Sequence, residues 1–127
     1  MGQVHLGRED WPAARAAFQK CIALDDENPH GHNGVAQAAN KMGEHELAGE
    51  HALRAVGLQY FFPLAHFNLG MALQGLGDLH NAIRSLDIAV TQAPGFLDAH
   101  NEMAKIYEQL DDIPLWMKHQ RMARRDR

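Results

Sequence analysis

An all-α stack of antiparallel helix pairs is the fold this sequence predicts, and three observations lead to it. The first is self-similarity at a step of 34 residues: Ala14, Ala48 and Ala82 lie 34 apart, as do Cys21, Ala55 and Ala89, and His32, His66 and His100. Glycines (Gly43, Gly77), acids (Asp10, Glu44, Asp78, Asp112) and prolines (Pro29, Pro63) keep the same step. A fixed period of this length marks a repeat architecture in which each unit is one supersecondary element. Second, apolar residues recur three and four apart, as in Val35, Ala38, Ala39, Met42 and in Ala82, Ile83, Leu86, Ala89, Val90, which gives each helix one buried stripe. Third, small residues stand where paired helices would face each other (Gly70 and Ala82, Ala36 and Ala48, with Ala104 nearby). Two axes can then approach to the near end of the usual ~8 to 10 Å.

Eight helices of about a dozen residues follow, over 1 to 8, 12 to 24, 30 to 42, 46 to 58, 64 to 76, 80 to 92, 98 to 110 and 114 to 125. The first reads as a helix cut short, because Met1 falls in the middle of its register. The second begins after Asp10, whose carboxylate suits the free N–H groups and the dipole of a helix start. Pro12 sits in its first turn, where a missing N–H costs nothing. The third and fifth follow Pro29 and Pro63, and the sixth follows Asp78. The last begins with Asp112 and Pro114, and it carries Trp116 where residues 14, 48 and 82 are alanine. It therefore leaves the repeat pattern and is read as closing the stack.

His66 to Pro94, HFNLGMALQGLGDLHNAIRSLDIAVTQAP, resembles the tetratricopeptide repeat (TPR) signature at Leu69, Gly70, Leu73, Gly77, Asp78, Ala82, Leu86, Ala89 and Pro94. HNEMAKIYEQLDD (His100 to Asp112) and HNGVAQAANKMGE (His32 to Glu44) repeat its first half, and DWPAARAAFQKCIALDDEN (Asp10 to Asn28) its second. The resemblance covers essentially the whole chain. It implies a TPR α-solenoid of about three and a half repeats, 1–28 in part, 29–62, 63–96 and 97–127, in a single domain over 1–127. It also implies a right-handed superhelix with a concave inner face, used as a non-catalytic scaffold that holds a peptide or helix of a partner protein. Because the first helix looks cut, the chain is read as a fragment of a longer protein.

In that family the first helix of each pair lines the concave face. Carried over position by position, this gives His30, Asn33, Gln37, Asn40 and Lys41, then Leu64, Phe67, Asn68, Met71, Gln74 and Gly75, then Asp98, Asn101, Lys105, Glu108 and Gln109. The partner-binding set expected from these is Asn33, Gln37, Lys41, Phe67, Asn68, Met71, Gln74, Asn101 and Lys105. Amides predominate, and an amide both donates to and accepts from a peptide backbone, so the lining suits a neutral segment anchored at Phe67 and Met71. TPR domains that dock onto chaperone tails use clustered Lys, Arg and Asn to hold a terminal carboxylate. The matching positions here are Asn33, Gly34, Gln37, Phe67, Asn68, Met71, Asn101, Glu102 and Lys105, so no such clamp is expected.

Composition narrows the function further. With 127 residues and a net charge of −4, the chain can bury a core without a covalent staple. Its one cysteine, Cys21, excludes an intramolecular disulfide; in register with Ala55 and Ala89, it reads as a small buried residue and not as a nucleophile. No apolar run approaches a membrane span and no signal peptide is visible, so a cytoplasmic location without membrane contact is expected. Residues 118–127 carry +4 and residues 1–117 carry −8. That tail reads as a solvated helix end, with an acidic partner or an acidic part of the parent protein as the alternative, and without interleaved aromatic platforms it makes no nucleic-acid site. No nucleophile with a base, no phosphate loop and no metal-ligand spacing is present, so no enzyme, cofactor or metal is expected.

Nine histidines are the one compositional oddity. His32, His66 and His100 fall where one unit would pack on the next and read as packing residues there; rings in register on stacked helices start too far apart for three to share an ion, while two could just reach one, an adventitious site. His45, His51, His80 and His119 read as surface residues. Tyr60-Phe61-Phe62 occupies one short turn that cannot bury three rings, so at least one is expected at the surface beside Phe67 at the groove rim; with Phe96, in the register of Phe62, these aromatics either seal the joint between units or form a rim that binds the partner. An alternative role is a structural or oligomerisation appendage of an enzyme domain in the same parent protein. In either case the exposed stack ends, around Ala14, Phe18 and Cys21, predict a tendency to homo-oligomerise.

Overall fold

The computed structural model describes residues 10–110 together with 117, 119, 120, 122 and 123. Six helices follow in order: α1 (Trp11–Leu24), α2 (Pro29–Lys41), α3 (His45–Leu58), α4 (Pro63–Gly75), α5 (Leu79–Gln92) and α6 (Leu97–Gln109). No strand occurs among the described residues. The helix expected over 1 to 8 lies outside them, as do Asp112, Pro114, Trp116 and most of the basic tail. Of the helix expected over 114 to 125, Met117, His119, Gln120, Met122 and Ala123 are described and helical.

The chemistry of the helix ends sets the boundaries. Pro29 and Pro63 are themselves the first residues of α2 and α4, because a fixed helical φ without an N–H fits that position. Asp10 and Asp78 accept hydrogen bonds from the backbone N–H of Ala13 (3.3 Å) and Asn81 (3.4 Å), and Asn28 accepts from His30 N (2.9 Å). At the other end of α2 and α4, Gly43 and Gly77 take φ of 78° and 85°. This left-handed turn lets Glu44 N donate to Ala39 O (2.8 Å) and Asp78 N to Leu73 O (2.9 Å). Carbonyls orphaned by the helix end are thereby satisfied, and the chain reverses into the next helix.

α2 and α3 form one antiparallel pair and α4 and α5 the next, with α6 packed on α5. The first helices also touch across units, α2 on α4 and α4 on α6, while α3 and α5 do not meet. The stack is closer on the first-helix side, so it curves toward α2, α4 and α6. Close approach depends on small side chains: Ala36, Ala48, Ala52, Ala65, Ala72, Ala82 and Ala104 are buried. At Gly70 even a methyl is too much, since a Cβ there would stand 2.7 Å from Leu86 Cγ and 3.2 Å from Ala82 O. The largest apolar cluster centres on Leu86, Met103 and Ile106, with Phe67, Phe96 and Tyr107 packed against it.

One expectation about the core fails. Cys21 is exposed, although its register mates Ala55 and Ala89 are fully buried. Ala14 on the same helix is buried, and the Phe18 ring fills the space beside Gly34, where a Cβ would come within 2.2 Å of it.

Candidate functional groove

The curvature leaves a cavity of about 660 Å³ along the inner face, lined from α2 by Gln37, Asn40 and Lys41, from α4 by Leu64, Phe67, Asn68 and Met71, and from α6 by Asp98, Asn101, Glu102 and Lys105. His45 and Gln120 complete it. Another hollow, of about 710 Å³, lies around the Arg15–Glu44 ion pair at the turn after α2; it draws on one turn, whereas the groove draws on three helices.

A chain of amides forms the floor. Asn40 Nδ2 donates to Asn68 O (2.9 Å), and Asn68 Nδ2 donates to Asn33 Oδ1 (2.8 Å). Because the Asn40 amide nitrogen is committed to that carbonyl, its oxygen must be the atom that faces His45 Nδ1 at 3.0 Å, so the imidazole donates there. His45 is therefore turned into the groove, with its ring filling the space beside Gly75, and is not the surface residue expected. Asn33 and Asn68 are buried, at 7% and 3% exposure, so the network fixes α2 to α4 and presents few free groups. Such buried amides are satisfied by one another, which rigidifies the floor.

Seven of the nine residues expected in the binding set line the cavity: Gln37, Lys41, Phe67, Asn68, Met71, Asn101 and Lys105. Asn33 lies beneath it as the acceptor for Asn68. Gln74 is not part of the lining, and its Oε1 is buried without a hydrogen-bond partner. Phe67 is half-buried and packs on Phe96, with ring centroids 5.0 Å apart, so its aromatic neighbour is the later loop and not Tyr60 or Phe61. Charges in the groove are balanced. Lys105 Nζ is 3.2 Å from Glu102 Oε2, Lys41 stands over the Trp11 ring at 5.9 Å, and Asp98 is exposed.

The register histidines hold the joints between units. The Nε2 atoms of His32, His66 and His100 lie 2.7, 2.8 and 2.8 Å from the carbonyl oxygens of Asp26, Tyr60 and Pro94. A carbonyl only accepts, so Nε2 carries the proton in each. On the other ring atom, His32 Nδ1 faces His51 Nδ1 at 2.9 Å and His100 Nδ1 faces His119 Nδ1 at 3.0 Å. Sequence reading placed His51 and His119 on the surface; instead His51 is half-buried and His119 buried, each as the partner of a register histidine 19 residues earlier. The equivalent position opposite His66 is Ser85, also buried. The imidazole of His51 is held below its ordinary pKa, first by burial and then by the neighbouring His32, with Glu50 opposing in part. Among the described residues, no group of three or more His, Cys, Asp or Glu is placed to hold a metal ion, and no helix is long and apolar enough to cross a membrane.

Comparison with known proteins accords with this architecture. Solved structures of similar fold include MamA (TM-score 0.85, 20% identity, 98% of this chain and 73% of that chain), a version of which comes from Desulfovibrio magneticus RS-1. YrrB, described as a TPR protein with an unusual peptide-binding site, superposes with a TM-score of 0.82 at 24% identity over 99% of this chain and 65% of that one. The first TPR domain of human RPAP3 gives 0.81 at 22% identity, with 89% of each chain covered. A related structure, the first TPR of Spaghetti (RPAP3), holds the HSP90 peptide SRMEEVD. No curated protein matches the chain. Models of the tetratricopeptide repeat match residues 1–61 and residues 64–95; TPR repeats are typically non-catalytic scaffolds for protein interaction. With its helix pairs stacked first helix on first helix and its sequence matched along most of its length, the chain belongs to the tetratricopeptide repeat family.

Proposed function

We propose that the concave groove binds a short segment, peptide or helix, of a partner protein. The observation that supports this most directly is that α2, α4 and α6 each contribute to one cavity whose floor is rigid and whose walls combine amides with the apolar side chains of Leu64, Phe67 and Met71. A rigid floor means that little ordering remains to be done on binding. Peptide binding by TPR proteins of the same fold, YrrB and RPAP3, is consistent with it. An acidic tail is not the favoured ligand, since Lys105 is engaged by Glu102 and Lys41, over the Trp11 ring, is the one other cation among the described residues of the lining. A neutral segment with one or two apolar anchors is. On this reading the chain acts as a scaffold, without catalysis.

The test is selection of a random peptide library against the chain, followed by calorimetry of a winning peptide. Met71→Ala is expected to weaken binding by about 2 kcal/mol, roughly 30-fold, with unchanged helix content. Phe67→Ala is expected to weaken binding as well, but it also opens the contact with Phe96 and the cluster around Leu86, so it lowers stability too. Equal affinity for wild type and Met71→Ala would remove the groove centre as the site.

A further inference from the structure

The loops that follow the second helices α1, α3 and α5 fall in one repeat register, at residues 25–28, 59–62 and 93–96, and one of them is built unlike the others. In Gln59-Tyr60-Phe61-Phe62, Phe62 turns inward to 9% exposure against His30, with ring centroids 5.1 Å apart. Tyr60 and Phe61 remain 65% and 66% exposed. The loop that carries them is nevertheless fastened. Tyr60 O accepts from both His66 Nε2 (2.8 Å) and Gln92 Nε2 (3.0 Å), and Phe62 N donates to Gln92 Oε1 (3.1 Å). Gln92 thus grips the loop backbone at two points, and the exposed aromatics stand on a stem that needs no further ordering.

The neighbouring loop supplies charge. His30 joins the two, lying five residues after Asp25 and packing on Phe62. Asp25, Asp26 and Glu27 are all exposed, next to Leu24 at 87% exposure. Asp25 Oδ1 accepts from Glu27 N (3.1 Å), and none of the three carboxylates forms an ion pair with another described residue. An edge that combines open aromatic faces with uncompensated carboxylates fits arginine, whose guanidinium stacks on a ring and pairs with a carboxylate.

We propose that this edge binds the lysine and arginine side chains of the stretch 118–127 of a second copy of the chain, a stretch whose His119 and Ala123 stay buried in their own molecule. That stretch carries five lysines and arginines against one aspartate, a net of +4, while the rest of the chain carries −8, and it is the one strongly basic segment in the sequence. The contact is heterologous, edge to tail, so it builds rings or open assemblies rather than a two-fold dimer. It differs from pairing through the face of α1, where Ala14 is buried and the half-buried Phe18 ring packs beside Gly34 of the same chain.

Sedimentation equilibrium of the full chain over a range of concentrations, at low and at about 0.5 M salt, tests this. The average mass is expected to rise with concentration at low salt and to fall toward the monomer at high salt, because charges at an exposed contact are screened. Phe61→Ala and the triple change Asp25→Asn, Asp26→Asn, Glu27→Gln should each weaken association at least about tenfold, with unchanged circular dichroism. Met71→Ala in the groove should leave association as it was, so that this contact and the groove can fail separately. A chain that stays monomeric throughout, or association that survives both edge changes, or association lost only through Met71→Ala, would each overturn the proposal.

Discussion

His51 shows what a single side chain adds to this fold and when it withdraws it. Opposite it, His32 must keep its Nε2 proton for Asp26 O, so in the neutral pair His51 Nδ1 donates to His32 Nδ1, and both rings cannot carry a proton between them at 2.9 Å. Its folded pKa lies below 6.5, so the unfolded chain takes up the proton first. The stability it supplies is full above about pH 6.5 and is lost as pH falls below that value. Thermal melts between pH 7.5 and 5.5 should therefore show a smaller drop for His51→Ser than for wild type, the variant placing a serine where Ser85 stands one repeat on; an equal drop would mean that the pair is not linked to folding. None of this was legible in the sequence. The period exposed His32, His66 and His100, but their partners lie 19 residues on, across a helix pair, and Ser85 breaks the series where a repeated histidine would have announced it. The groove asparagines were legible as residues and not as a network. Asn33 and Asn68 occupy the expected positions, yet they face each other, because α2 and α4 approach more closely than a register alone conveys.

The helices were the most legible level, since their ends are written in capping chemistry. Removing the Asp78 side chain, which accepts from both Asn81 N and Asn81 Nδ2, should cost about 1 kcal/mol, read as a shift of the urea midpoint in Asp78→Ala. Gly70→Ala should cost more, about 1 to 3 kcal/mol, because its Cβ would press on Leu86 and on the Ala82 carbonyl. Denaturation curves for the two variants check both, and a neutral Gly70→Ala would show that α4 and α5 are not in close contact there. Cys21 marks the limit of register reasoning. A position's burial follows from what packs against it, and the periodicity that equates Cys21 with Ala55 and Ala89 does not carry that information.

Across the whole molecule, the curvature follows from contact between successive first helices without contact between α3 and α5, and it is this asymmetry that makes one face a groove and the other a set of loops. A repeat sequence discloses the groove, because concave positions recur at the period, but it hides features peculiar to one unit, such as the Gln92 grip on Tyr60 and Phe62. The central claim is that the inner face is where a partner segment lies. Amide chemical shifts of the labelled chain, followed while the library-selected peptide is added to saturation, test it most directly. Perturbations should cluster at Gln37, Lys41, Met71, Asn101 and Lys105; a response centred instead on Leu53, Arg54 and Leu58 of α3, with the groove amides unmoved, would contradict it.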